Sequence, residues 1–187
     1  TVRRIAEGQQ MDINFEEEET VDPERYLEMI RLKTSILFGS AAYGGALIGD
    51  KTVEEANELR QMAIWVGLGF QIWDDYLDAT APAEVLGKPS GSDVRQGKRT
   101  LLVIEALNRT KPDERKELIR ILDDSKNTDD DVQRAVEIMS ECGALENCRK
   151  QALDYLHGAK KTIEKYPKGE ARELLKELLE YMVTRGH

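Results

Sequence analysis

The sequence predicts an all-α protein, and three observations carry that reading. Apolar residues recur at helical spacing through most of the 187-residue chain, and no stretch alternates with the two-residue period of a strand. Helix-start signals precede these runs: Asp22-Pro23, Thr52-x-x-Glu55 and Thr128. A composition of 40% hydrophobic and 34% charged residues suits amphipathic helices around one core, with no internal repeat or low-complexity linker to mark a second domain.

Taken in order, residues 2–6 already read as the middle of a helix that runs into Gly8-Gln9. Asp22 as a cap with Pro23 at the first helical position opens a second helix over about 23–48. Within it Ser40, Ala41, Ala42, Gly44, Gly45 and Ala46 form a small-residue face. That face suits close helix approach at a bundle or dimer contact, or reflects loose packing without further meaning. Thr52 and Glu55 form a capping box for a third helix. Residues 79–98 are expected to be a loop, followed by helices at 99–109, 112–122, from Thr128 to near Gly143, at 144–166 and at 170–185.

Several function classes are disfavoured by composition. A net charge of −9, with no basic face outside residues 88–99, argues against general nucleic-acid binding. No apolar run approaches the ~20 residues that span a bilayer, and no signal peptide stands at the start. Cys142 and Cys148 are six apart on a helix-like segment, hence on different faces, and the chain has two histidines. Reduced thiols, a cytoplasmic location and no zinc site are the expectation.

The chemistry is concentrated in residues 70–78, Phe-Gln-Ile-Trp-Asp-Asp-Tyr-Leu-Asp, at the end of the apolar stretch 62–73. On a helix Asp74 and Asp78 are four residues apart, Asp75 and Asp78 three, and Gln71 falls one turn earlier on the same face. Carboxylates emerging from an apolar helix repel one another and lose hydration, and a cation between them relieves both effects. Oxygen-only donors with no nearby His or Cys favour magnesium, which keeps several waters and is normally shared with substrate phosphates. The competing reading is a solvated acidic helix end. A neighbouring basic segment weighs against it: residues 87–100, Gly-Lys-Pro-Ser-Gly-Ser-Asp-Val-Arg-Gln-Gly-Lys-Arg-Thr, bring Lys88, Arg95, Lys98 and Arg99 in a glycine-rich stretch suited to an anion. Acids for a metal followed by bases for the anion it bridges suit a diphosphate.

These residues carry a family resemblance. Phe70-Gln71-x-x-Asp74-Asp75-x-x-Asp78, with Gly87-Lys88-x-x-Gly91-x-Asp93-x-x-x-Gly97-Lys98-x-Thr100, resembles the second aspartate-rich region of the trans-isoprenyl diphosphate synthases. Gly8-Gln9-x-x-Asp12 and Lys33-Thr34 resemble two earlier motifs of that family in order and spacing. The motifs cover residues 8–100, and the wording is nearest to archaeal geranylgeranyl-type synthases. The resemblance implies the C-terminal part of the isoprenoid synthase helical bundle. It also implies ionisation of an allylic diphosphate with magnesium and attack by isopentenyl diphosphate on the resulting cation.

Carried over by position, Asp74 is the principal metal ligand, with Asp75 and Asp78 completing the acidic face directly or through water. Lys33, Lys88 and Lys98 hold the departing diphosphate. Thr34 and Gln71 turn oxygen dipoles toward the cation, and Gln9 and Asp12 line the same cavity, with Asp12 paired to a lysine or to metal-bound water. Each has a structural alternative: Lys33 snorkelling from a buried helix, Gln71 closing a core hydrogen bond, Thr34 bonding back to its own helix, Asp93 shaping the loop. Trp65, Phe70, Trp73 and Tyr76 read as core.

The departures from the family pattern matter as much. No first aspartate-rich motif with its paired arginines, and no isopentenyl diphosphate region, occurs before residue 70. The expectation is a single unit, 1–187, that is the C-terminal portion of a longer synthase whose N-terminal half lies elsewhere, and that works as a homodimer. Asp123-Asp124 and Asp129-Asp130-Asp131 flank helix starts and turns and do not replace the missing motif. The alternative function is a non-catalytic partner subunit that tunes an active prenyltransferase. A class I terpene cyclase is disfavoured because its second metal motif mixes Asn, Ser and Glu.

Overall fold

The computed structural model describes residues 1–87 and 89–184, and it is all-α, with no strand among the described residues. The helices are α1 (Val2–Phe15), α2 (Pro23–Ile30), a π-helical turn π1 (Arg31–Ser35), α3 (Ile36–Ile48), α4 (Val53–Thr80), α5 (Ala83–Leu86), α6 (Ser92–Arg95), α7 (Leu101–Arg109), α8 (Pro112–Asp123), α9 (Asp129–Glu141), α10 (Ala144–Ile163) and α11 (Glu170–Thr184). None of them is long and apolar enough to cross a membrane.

The start signals act as their chemistry requires. The Asp22 carboxylate accepts the Glu24 amide at 2.8 Å, one residue ahead of Pro23. Thr52 and Glu55 exchange bonds of 3.2 and 3.0 Å, and Thr128 and Asp131 form the same reciprocal pair at the head of α9.

Helix α4, about 42 Å long at the usual rise, is the central element, flanked chiefly by α3 and α10. Its inner face carries Ile64, Leu68, Ile72 and Trp73 into the main core, where they meet Leu101, Ile104, Leu118, Ile121, Ile138 and Met139. Burying each such side chain contributes roughly 1.5–3 kcal/mol. A smaller cluster of Met62, Val66, Leu156, Ile163, Leu179 and Met182 pins α11 across α4 and α10. Phe38 and Phe70 pack at 5.9 Å, and the Trp73 and Tyr76 rings at 5.4 Å, so these aromatics are packing residues.

Four expectations are corrected. The helix expected over 23–48 is interrupted by π1, whose Ser35 hydroxyl donates to the Ile30 carbonyl at 3.3 Å. The loop expected over 79–98 contains two single-turn helices, α5 and α6. The cysteines lie on separate helices, Cys142 at the end of α9 and Cys148 within α10, and both are free. Burial pushes the Cys148 thiol up to about 12, which leaves it unreactive. The helix expected to begin at residue 99 starts instead at Leu101, because Arg99 is drawn into other contacts.

Candidate active site

Two glycines place the helices that build the site. A Cβ on Gly8 would stand 2.5 Å from the Lys33 amide nitrogen, and one on Gly67 would stand 2.5 Å from the Ser35 Cα. Only glycine lets α1 and α4 both press their backbones against π1. This double approach sets Asp12 beside Lys33 and Gln71 beside Thr34. A π turn adds one residue to the helical circuit and is often found at functional positions. Here it carries Lys33-Thr34.

The resulting cleft is lined by Asp12 from α1, Tyr26, Met29 and Ile30 from α2, Lys33 from π1, and Gln71, Asp74 and Asp75 from α4; Asp93, Lys98, Arg99 and Thr100 close the opposite side. Lys33 donates to Asp12 at 2.5 Å, and Lys98 to Asp93 at 2.7 Å, with all four side chains at least partly shielded from water. Burial draws the pKa of Lys98 down, but Asp93, with Asp12 and Asp75 behind it, more than offsets this, so the ammonium is raised above its ordinary value and stays charged.

The three aspartates of residues 74–78 have three different surroundings. Asp74 is exposed at the cleft. Asp75 is buried, and its carboxylate accepts from the Tyr26 hydroxyl and, at 3.0 Å, from the Gln71 amide nitrogen. Burial pushes its pKa up to about 7, with Asp93 and Asp74 adding to the shift and the Tyr26 and Gln71 bonds opposing it. Asp78, expected to complete the acidic face directly or through water, bonds to the loop. Its carboxylate accepts from the Ser92 hydroxyl at 2.5 Å and the Asp93 amide at 2.9 Å, while its carbonyl accepts from the Gly91 amide at 2.6 Å.

Of the four cations expected around an anion, the three described ones separate. Lys98 reaches the cleft, and Lys88 lies outside the described residues. Arg95 turns to Asn127 and Asp129 at the foot of α9. Arg99, only 4% exposed, donates to the Glu18 and Gly97 carbonyls and to the Asp123 carboxylate at 2.6 Å, so it ties the loop to α8 and to the α1–α2 connection. Gly97, with φ of +71°, lies against the Leu122 carbonyl oxygen and serves packing rather than approach to an anion.

Thr34 donates to the Gln71 carbonyl oxygen at 3.0 Å, so these two expected dipoles are linked to each other; Gln71 lines the cleft and Thr34 reaches it through that bond. Tyr26 was not singled out from the sequence. Its signal was there, since Tyr26, Met29, Ile30 and Lys33 follow the i, i+3, i+4, i+7 spacing of one helix face.

The donors fit a magnesium ion in kind. The cleft offers carboxylate oxygens without His or Cys, and Asp74 is exposed enough for a metal held there to keep its waters. Among the described residues no three His, Cys, Asp or Glu side chains close around one point.

A family model described as polyprenyl synthetase matches residues 1–139. The chain belongs to the polyprenyl synthetase family. A short chain isoprenyl diphosphate synthase of Methanothermobacter thermautotrophicus is 40% identical over 184 residues, covering 98% of this chain and 56% of the relative. A geranylgeranyl diphosphate synthase of Methanosarcina mazei is 37% identical over 187 residues, covering all of this chain and 56% of that protein. Among solved structures, a geranylgeranyl pyrophosphate synthetase from Pyrococcus horikoshii superposes with a TM-score of 0.89 at 35% identity, covering 97% of this chain and 55% of that one. A polyprenyl synthase from Caulobacter crescentus, complexed with calcium and isoprenyl diphosphate, superposes with a TM-score of 0.90 at 34% identity, covering 99% and 56%. The family member described here thus spans about half the length of the curated relatives it matches.

Proposed function

We propose that this chain is the C-terminal portion of a trans-prenyl diphosphate synthase, which condenses isopentenyl diphosphate with an allylic diphosphate to give a longer prenyl diphosphate. The observation that carries the reading is one cleft lined by an exposed carboxylate, Asp74, by two carboxylate-held lysines, Lys33 and Lys98, and by Gln71, which is bonded to Thr34.

Bound magnesium would lower the barrier to departure of the diphosphate by drawing off its negative charge. In this reading Asp74 holds the metal. Lys33 and Lys98, with Lys88 by resemblance, receive the diphosphate oxygens. Asp12 and Asp93 keep the two lysines extended until the anion arrives. The Gln71 and Thr34 oxygens face the allylic carbon, where they stabilise positive charge as it develops and contribute most in the transition state. Asp75 and Asp78 support this arrangement, one from beneath Gln71 and the other through the loop.

The reading includes an N-terminal half, on the same chain or another, that brings the remaining acidic ligands and the isopentenyl diphosphate site. It is supported by the half-length match to relatives and by apolar surface on α1, α3 and the start of α4. Val2 and Ile48 are 80% and 87% exposed, Leu37 and Val53 are exposed as well, and a Cβ built at Gly44 or Gly45 on α3 meets nothing within 4 Å. A homodimer in the cytoplasm is the form that the resemblance implies.

The test is product formation from radiolabelled isopentenyl diphosphate and an allylic diphosphate. It compares this chain alone, a mixture with the N-terminal segment of a relative, and a fused full-length chain. Condensation that appears only when the N-terminal segment and magnesium are both supplied, and that is lost with Asp74→Asn, is the expected result. Turnover by the isolated chain, or turnover that survives Asp74→Asn, would overturn the reading.

A further inference from the structure

Tyr26 belongs to none of the sequence motifs, is buried from water, and directs its hydroxyl at the Asp75 carboxylate. The other oxygen of that carboxylate receives the Gln71 nitrogen at 3.0 Å, and the Gln71 oxygen in turn receives the Thr34 hydroxyl at 3.0 Å. The side chains therefore form one line, from Tyr26 through Asp75 and Gln71 to Thr34, crossing from α2 to α4 and back to π1. A primary amide is nearly symmetric in shape, and only its neighbours decide which end is nitrogen. When ionised, the Asp75 carboxylate accepts and does not donate, so it selects the nitrogen of Gln71 and sends the oxygen the other way.

We propose that Tyr26 is a positioning residue for the reaction: by fixing the Asp75 carboxylate it sets which end of the Gln71 amide is presented to the reacting carbon. The inference rests on the functional reading above and deepens it. Tyr26 holds Asp75 in the plane that meets Gln71. Without the phenol, the buried Oδ2 lacks its donor, and the carboxylate is no longer held in one orientation. Gln71 then loses its reference and samples both amide orientations, one of which aims N–H dipoles at a developing cation. The same line assigns Asp75 a role distinct from that of Asp74: it orients an amide, and Asp74 meets the metal.

The test uses the full-length enzyme with Tyr26→Phe, Gln71→Leu and the double variant, and it reads kcat and KM for the allylic diphosphate separately. Loss of a charge-assisted hydrogen bond corresponds to about a tenfold fall in kcat for Tyr26→Phe, with KM within about twofold. In the Gln71→Leu background the same change should add less than about twofold, because the amide it orients is gone. A second readout does not need turnover. The side-chain amide signals of Gln71, identified in nitrogen-labelled protein by their loss in Gln71→Leu, should be a single sharp pair that shifts and broadens in Tyr26→Phe. If Tyr26→Phe does not fold, Asp75→Asn takes its place, since an asparagine amide can offer an N–H to Gln71 and should produce the same spectral change and the same fall in kcat.

A tenfold effect that persists in the Gln71→Leu background, a rise in KM at constant kcat, or an unaltered Gln71 signal would each overturn the inference. Absence of any condensation by the unsubstituted full-length enzyme would defeat the functional reading instead, and the amide signals would still decide whether Tyr26 orients Gln71.

Discussion

One wall of the cleft is made by helices and the other by a loop, and the two hold their charged groups by different means. On the helical wall, Lys33 and Gln71 are fixed by backbone contact, because Gly8 and Gly67 admit α1 and α4 to π1 at distances no side chain would allow. On the loop wall, Asp93 and Lys98 are fixed by hydrogen bonds that converge on the buried Asp78 and by the Arg99 links to Glu18 and Asp123. The helical wall depends on what is absent at two glycines. The loop wall depends on one carboxylate. Three neighbouring aspartates therefore have three surroundings: Asp74 faces the cleft, Asp75 is bonded to Tyr26 and Gln71 in the helical wall, and Asp78 is bonded to the loop wall.

Asp75 offers the largest way to separate the walls. Its pKa is raised from 3.8 to about 7 in the folded protein, chiefly by burial, so the folded state retains a proton that the unfolded chain releases. Stability of the metal-free protein therefore falls through this group as pH rises between those values, by up to about 4 kcal/mol. Asp75→Asn removes this dependence. Denaturant unfolding at the two ends of the window should show the variant gaining on the parent protein as pH rises, and a constant difference would contradict the burial argument. Asp78→Ala comes next. It leaves the Asp93 amide and the Ser92 hydroxyl without their carboxylate and should cost about 2–4 kcal/mol while weakening diphosphate binding. The helical wall should stay intact, as judged by slow hydrogen exchange retained in α4. Gly67→Ala acts on the opposite wall and is the smallest of the three. Overpacking against Ser35 should cost about 1–3 kcal/mol, read as a lower Tm, with the loop's exchange protection unchanged.

The same division explains what the sequence made legible. Helix spacing placed Gln71, Asp74 and Asp75 on one side of α4, and the order of motifs brought Asp12 and Lys33 to the same cleft, with Thr34 bonded to Gln71. Capping signals located the starts of α2, α4 and α9 because those bonds are local. The π turn left no such signal. It arises where two other helices press on one segment, and nothing within residues 31–35 announces that pressure. The loop was the least legible part. Single-turn helices are too short to show a period, and the inward turn of Asp78, like the burial of Arg99, is decided by partners up to 81 residues away. Charge alone suggested that Arg95 and Arg99 meet an anion, but both are satisfied by the protein itself.

The central claim is that the three aspartates are not equivalent, and calorimetric titration of pyrophosphate with and without magnesium addresses it directly. Asp74→Asn should lower magnesium-dependent affinity more than about 100-fold with little change in Tm, since on the proposed reading it removes a metal contact at an exposed position. Asp75→Asn should leave that affinity within about threefold, because Asp75 is held by protein donors and orients an amide. An equal loss for both substitutions would contradict the account, as would magnesium-dependent binding that survives Asp74→Asn unchanged.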